Sequence, residues 1–151
     1  VYTLVRRYIK TAIVFLAVGI ALGGWMLVNR ELHGRQPTEY ETSAHTHLIF
    51  VGFVMEMILG VALWLFPRPH KDDTRYSPRL VNIAYWLVTV GTVIRAAGEL
   101  ARASEDGVAL RWLIVCSGLA QICGLGLFFY TMWSRIRAVG SQSREASGER
   151  F

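Results

Sequence analysis

The chain has 151 residues, of which 53% are hydrophobic and only 18% charged, with a mean hydropathy of +0.35. A soluble domain carries about a quarter charged residues, so this composition excludes an ordinary water-soluble fold. The net charge of +5 asks for no nucleic-acid partner, because the basic residues are distributed as membrane topology requires.

Four apolar stretches reach or approach the roughly 20 residues that a membrane span needs: residues 8–28, 44–66, 80–97 and 108–133. None alternates as a barrel strand does. They predict an all-α integral membrane protein, a four-helix bundle over residues 1–139 with short up-and-down connections. The remaining residues, 140–151, are rich in Ser, Gly, Arg and Glu and read as a disordered cytoplasmic tail.

The first stretch follows Arg6, Arg7 and Lys10 and has no small-x-small cleavage pattern, so it reads as a retained span rather than a leader. Gly19 and Gly23 form a G-x-x-x-G face suited to close helix contact. The loop 29–43 carries Arg30, His33 and Arg35, and Ser43 stands where the next helix is expected to be capped. The second stretch holds His45, His47 and Glu56 and is ended by Pro67 and Pro69. After the loop 67–79, Pro78 starts the third stretch, the shortest and most polar, with Asn82 and Arg95. The fourth carries Cys116 and Cys123 on one face, read as small hydrophobes, with Gly118, Gly124 and Gly126 as packing surfaces. Met55 and Met57 read as core fillers, with a copper path as the alternative. Trp25, Trp64, Trp112 and Trp133 fall near the predicted interfaces, as an aromatic belt does.

Eleven of the 16 Lys and Arg residues lie in the N-terminal segment, the loop 67–79 and the C-terminal segment. That asymmetry predicts both termini on the cytoplasmic side of the bilayer, with some attraction to anionic lipid.

The ionisable residues inside the second stretch carry the functional signal. His45 and His47 are two apart, about 200° around a helix. They point to nearly opposite sides and cannot share one ion as an i, i+4 pair does. They read either as interfacial histidines or as ligands serving two different neighbours. Glu56, eleven residues after His45, falls within about 20° of the same face. His45, Gly52 and Glu56 therefore form one stripe, with Gly60 beside it. A carboxylate at this depth costs a few kcal/mol if ionised and unpaired. It is expected either to be a neutral group bonded to Gln121 or Tyr85, or to relay protons or cations. Glycines on such a face admit a second helix or a flat ligand.

His-x-His, then four residues, then Gly, then an apolar run ending in Phe-Pro-Arg resembles the catalytic subunit (subunit I) of haem-copper oxidases and nitric oxide reductases. The matching residues are His45, His47, Gly52, Gly60, Pro67 and Arg68, with Gly91, Arg95, Gly98 and Glu99 in the third stretch. The resemblance covers residues 40–100 and implies a respiratory protein of a prokaryotic inner membrane. It implies b-type haem bound through His45 and His47, with Gly52 lining the cofactor. Arg95 would pair with the haem propionates, with Arg30 and Arg111 as runners-up. The departures matter equally. Stretches one, three and four contain no histidine, so one copy lacks the ligands for a dinuclear haem–metal site. A sixth ligand would come from Met26, from His33 or from another chain, which implies a homo-oligomer or a larger respiratory complex. Open and filled sixth positions favour gas binding and electron transfer respectively. The readings thus stand as a haem protein handling electrons, O2 or NO, a cofactor-free accessory subunit, or a metal or proton transporter using His45, His47 and Glu56.

Overall fold

The computed structural model describes residues 2–69, 73–137 and 147–148, and the described elements are helical throughout. His70 and all but two residues of the expected disordered tail lie outside the described residues. Helix α1 runs Tyr2–His33, well beyond the predicted 8–28 at both ends. Gly34 ends it with φ +66°, the left-handed region, and the Arg35 N–H closes back on the Asn29 carbonyl at 3.1 Å.

The second span, Glu39–Leu65, is one continuous rod in three parts. These are α2 (Glu39–His47), a π-helical segment (Leu48–Met55) and α3 (Glu56–Leu65). Its cap is Thr38, not the expected Ser43, which lies inside α2. Thr38 Oγ1 accepts from the Glu41 N–H at 3.2 Å, and Glu41 Oε2 accepts from the Thr38 N–H at 2.7 Å. This reciprocal capping box satisfies two of the donors that every helix start leaves orphaned. Arg35 adds an ion pair to Glu41 at 2.6 Å. Phe66 is extended, and Pro67 and Pro69 stop the rod where the sequence places its end.

Helix α4 spans Pro78–Arg102, with Pro78 in the first turn where its missing N–H is harmless. Helix α5 spans Val108–Met132 and tightens into a 3-10 turn at Trp133–Arg135. All four rods are long and apolar enough to cross a bilayer. The first is the least enclosed by the other helices, and the third, weakest by hydropathy, is the most enclosed. Its polar residues are therefore turned towards the other helices rather than towards lipid. Trp25, Trp64, Trp112 and Trp133 are all exposed.

The rods follow one another as neighbours. Helix α1 lies along the second span, α2 lies against α4, and α4 pairs with α5. All four meet at one end, the end with Arg6, Arg7 and Arg135. There Tyr8, Leu59, Leu63, Val81, Tyr85, Phe128 and Met132 form one buried cluster. Arg135 is buried beneath it and, among the described residues, makes no direct ion pair. Its guanidinium donates to the Leu63, Phe66 and Pro67 carbonyls at 3.1, 2.8 and 2.8 Å and lies 4.9 Å from the centre of the Tyr76 ring. The carbonyls left bare at the end of the second span thus receive a cation, which the helix dipole favours. Beside it, the Ser134 hydroxyl bonds Asp73 and holds that carboxyl below its usual range. The opposite, histidine-bearing end has a smaller cluster, Phe15, Ala44, Leu48 and Ala96, to which α5 contributes no buried residue.

Two substitutions test this packing. Arg135→Met keeps the apolar stem but removes the donors, and is expected to lower stability in detergent by about 2–4 kcal/mol. A Cβ on Gly52 would stand 2.6 Å from Phe15 Cγ, too close for a ring held at its base. Gly52→Ala is expected to cost about 1–3 kcal/mol, and Phe15→Ala in the same chain should recover part of that loss in a double-mutant cycle.

Candidate functional site at the histidine pair

His45 and His47 lie in the last turn of α2, immediately before the π-helical segment. Such segments are rare and concentrate at functional positions. The two rings face different helices, as their spacing predicts. His45 Nδ1 is 3.0 Å from the Gly19 carbonyl of α1, and the ring rests on Gly23, whose absent Cβ would stand 2.8 Å from Cε1. The G-x-x-x-G face therefore houses the His45 ring as well as admitting a helix: a Cβ on Gly19 would meet Ile49. His47 turns towards α4. Its Nδ1 lies 2.8 Å from its own helix's Ser43 carbonyl and 3.5 Å from Glu99 Oε2.

A carbonyl oxygen only accepts, so each Nδ1 carries a proton and donates it. With the proton there, the nitrogen left for a metal or another partner is Nε2. Among the described residues, neither Nε2 makes a hydrogen bond. Both rings are half-buried.

Glu99 is the hub on the α4 side, 3% exposed. Its Oε1 accepts from Ser43 Oγ at 2.9 Å and from Arg95 Nε at 3.1 Å. Arg95 reaches on to Gln121 Oε1 at 3.4 Å, and Gln121 donates to Thr92 Oγ1 at 2.9 Å. The second span, α4 and α5 are thereby tied through polar side chains. The sequence named Glu99 only as a matching residue, Gln121 only as a partner for Glu56 and Ser43 only as a cap, and placed none of them beside the histidines. The i, i+4 spacing of Arg95 and Glu99 was the available signal, but the partner across the helix interface depends on how α4 is rotated.

Glu56 is fully buried. Thr89 donates to its Oε1 at 2.6 Å, and Oε2 has no partner. The expected partners are engaged elsewhere, Tyr85 with Thr11 at 2.8 Å and Gln121 with Thr92 and Arg95. The stripe read from the sequence divides accordingly. His45, Gly52 and Gly60 all face α1, while Glu56 reaches α4. A π turn holds more residues than an α turn, so phases counted at 3.6 per turn drift across Leu48–Met55. With Glu56 included, the polar residues of α4 form a seam. Asn82 accepts from Arg7 at 3.4 Å, and Tyr85, Thr89, Thr92 and Glu99 follow.

The other expected residues are placed as follows. Met26 is half-buried on α1, three residues past Gly23 and so near the His45 face. The space at Gly52 is taken by Phe15. His33 is exposed at the end of α1. Arg30 pairs with Glu31, and Arg111 with Asp106. Cys116 and Cys123 are exposed on α5 rather than buried in the bundle, so they face the lipid side. Among the described residues, no three His, Cys, Asp or Glu side chains are grouped to hold a bare metal ion.

Four membrane-length helices with an imidazole pair near one end of the second define a multi-pass helical membrane protein. The family model for cytochrome c and quinol oxidase polypeptide I matches residues 3–144, and the chain belongs to that family. It is similar to the Cbb3-type cytochrome c oxidase subunit CcoN1 of Stutzerimonas stutzeri, with 22% identity over 168 aligned positions. That alignment takes in 96% of this chain and 35% of the relative, so the chain spans about a third of that protein's length. No solved structure matches.

The Glu56 contact has a direct test. Thr89→Val leaves a fully buried carboxyl without a donor and should lower stability by about 1–3 kcal/mol. Glu56→Gln keeps an acceptor for Thr89 and should change it by less than about 1 kcal/mol, both read by unfolding in mixed micelles.

Proposed function

We propose that this chain is a b-type haem protein in which His45 and His47 supply axial nitrogens to iron on the two sides of the second span. It would act in electron transfer or in the binding of O2 or NO. The observation that carries this reading is the common state of the two rings. Each Nδ1 is committed to a backbone carbonyl, and each Nε2 makes no hydrogen bond among the described residues. A histidine ligand needs this arrangement, since its second nitrogen normally donates to a carbonyl or carboxylate that fixes ring and tautomer. The donor set suits haem better than a bare ion, because a porphyrin brings the four equatorial ligands that these side chains do not. When bound, the haem would supply one-electron redox chemistry and, with an open position, a gas-binding site.

The chain's own residues have distinct parts in this reading. Gly23 gives the His45 ring room, and Ser43 fixes His47. Met26 is the candidate sixth ligand on the α1 side. Arg95 is the candidate partner for the propionates, with Nε on Glu99 and one outer guanidinium nitrogen on Gln121. Gly52, filled by Phe15, would set the distance between α1 and the second span rather than touch the haem. Glu56 and Thr89, with the seam on α4, would hold or pass a proton below the histidines. Copper is the alternative metal only if another chain contributes ligands. The topology proposed is N-in and C-in, with the histidines at the outer face of a prokaryotic inner membrane. A second copy, or a larger respiratory complex, would cover the lipid-facing side of the haem.

The test is an absorption spectrum of the purified protein, oxidised and reduced, with a pyridine haemochrome assay. About one b-type haem per chain is expected. His45→Ala and His47→Ala should each lose haem or change its spectrum, and full, unaltered occupancy in both variants defeats the assignment.

A further inference from the structure

The two histidines differ in what stands behind them. Behind His45 Nδ1 is one neutral oxygen, the Gly19 carbonyl at 3.0 Å. Around His47 Nδ1 are three oxygens: the Ser43 carbonyl at 2.8 Å, the Ser43 hydroxyl at 3.3 Å and Glu99 Oε2 at 3.5 Å. The hydroxyl is itself held by Glu99 Oε1. Glu99 Oε2 is buried and receives no hydrogen bond, although a buried carboxylate oxygen without a donor is costly and is retained for a reason. Arg95, steadied by Gln121, anchors the other oxygen of the same carboxylate.

We infer that Glu99 is the positioning residue for His47 and that it makes the two imidazoles unequal ligands. The carboxylate and the serine it orients keep Nδ1 turned inward, and so keep Nε2 turned outward. A ring flip would set a C–H against these oxygens. A negative group beside Nδ1–H also raises the basicity of the far nitrogen, and partners of this kind change metal affinity by about 10–100-fold. His45 has a neutral carbonyl and gains no such help. His47 is therefore the stronger donor of the pair. This inference rests on the metal-ligand reading above, and its test keeps the two separable.

Protein labelled with nitrogen-15 at histidine, purified in detergent, shows by two-bond correlation spectra which ring nitrogen of each histidine carries hydrogen before haem is added. Hemin titration of the same samples then gives affinity. In Glu99→Ala, the His47 ring-nitrogen signals are expected to shift while those of His45 stay unmoved, and hemin to bind at least about tenfold more weakly. Glu99→Gln, which keeps an oxygen but not the charge, should preserve the Nδ1–H form and still lose affinity. An unchanged His47 ring and unchanged hemin affinity in folded Glu99→Ala overturns the proposal. If that variant does not fold, an unchanged affinity in Glu99→Gln overturns it. If the wild-type chain binds no hemin, the haem reading falls, and the spectra alone decide whether Glu99 holds His47.

Discussion

Inside a bilayer, helices gain little by burying apolar surface against one another, because lipid is as apolar as leucine. The polar seam on α4 is therefore the constraint on which the arrangement of this protein depends. Asn82, Tyr85, Thr89, Thr92 and Glu99 each meet a partner from another span: Arg7, Thr11, Glu56, Gln121 and Ser43. Every such pair fixes both the rotation and the height of a helix, since a slip of one residue would leave a polar group facing hydrocarbon. The span with the weakest hydropathy is thus the one that sets the positions of the rest.

The histidine pair inherits its geometry from this seam on one side and from glycines on the other. Glu99 draws Ser43 and His47 towards α4, and the Gly19–Gly23 face lets α1 approach until its backbone meets His45. The π-helical segment follows at once. Below it, Gly52 and Gly60 still meet α1 while Glu56 turns to α4. A short change in helical pitch thereby lets one rod serve two neighbours with different chemistry.

Much of this was legible in the sequence. Apolar length gave four spans, Pro67 and Pro78 marked an end and a start, and a spacing of two placed the histidines on opposite sides. The failures share physical causes. The cap was sought next to the apolar run, at Ser43, whereas Thr38-x-x-Glu41 lies a full turn earlier in polar sequence. The phase between His45 and Glu56 was counted at 3.6 residues per turn, which a π segment does not obey. The partner of Glu56 and the role of Glu99 depend on contacts between spans, and these follow from the rotation of α4, which periodicity alone does not fix. Cys116 and Cys123, read as small hydrophobes, face lipid rather than protein, since depth in a bilayer does not mean enclosure by the bundle.

Arg135 has a mechanical consequence for the molecule. At its end, one guanidinium joins the 3-10 turn after α5 to the Leu63, Phe66 and Pro67 carbonyls where the second span stops, and the large aromatic cluster closes above it. At the far end, α5 touches α4 but is not part of the buried cluster between α1, the second span and α4. The structure is clamped at its base through backbone carbonyls and at its mouth through the side chains of Glu99, Arg95 and Gln121. Parting the rods at the mouth would strand polar side chains in hydrocarbon, so the two ends resist separation by different means.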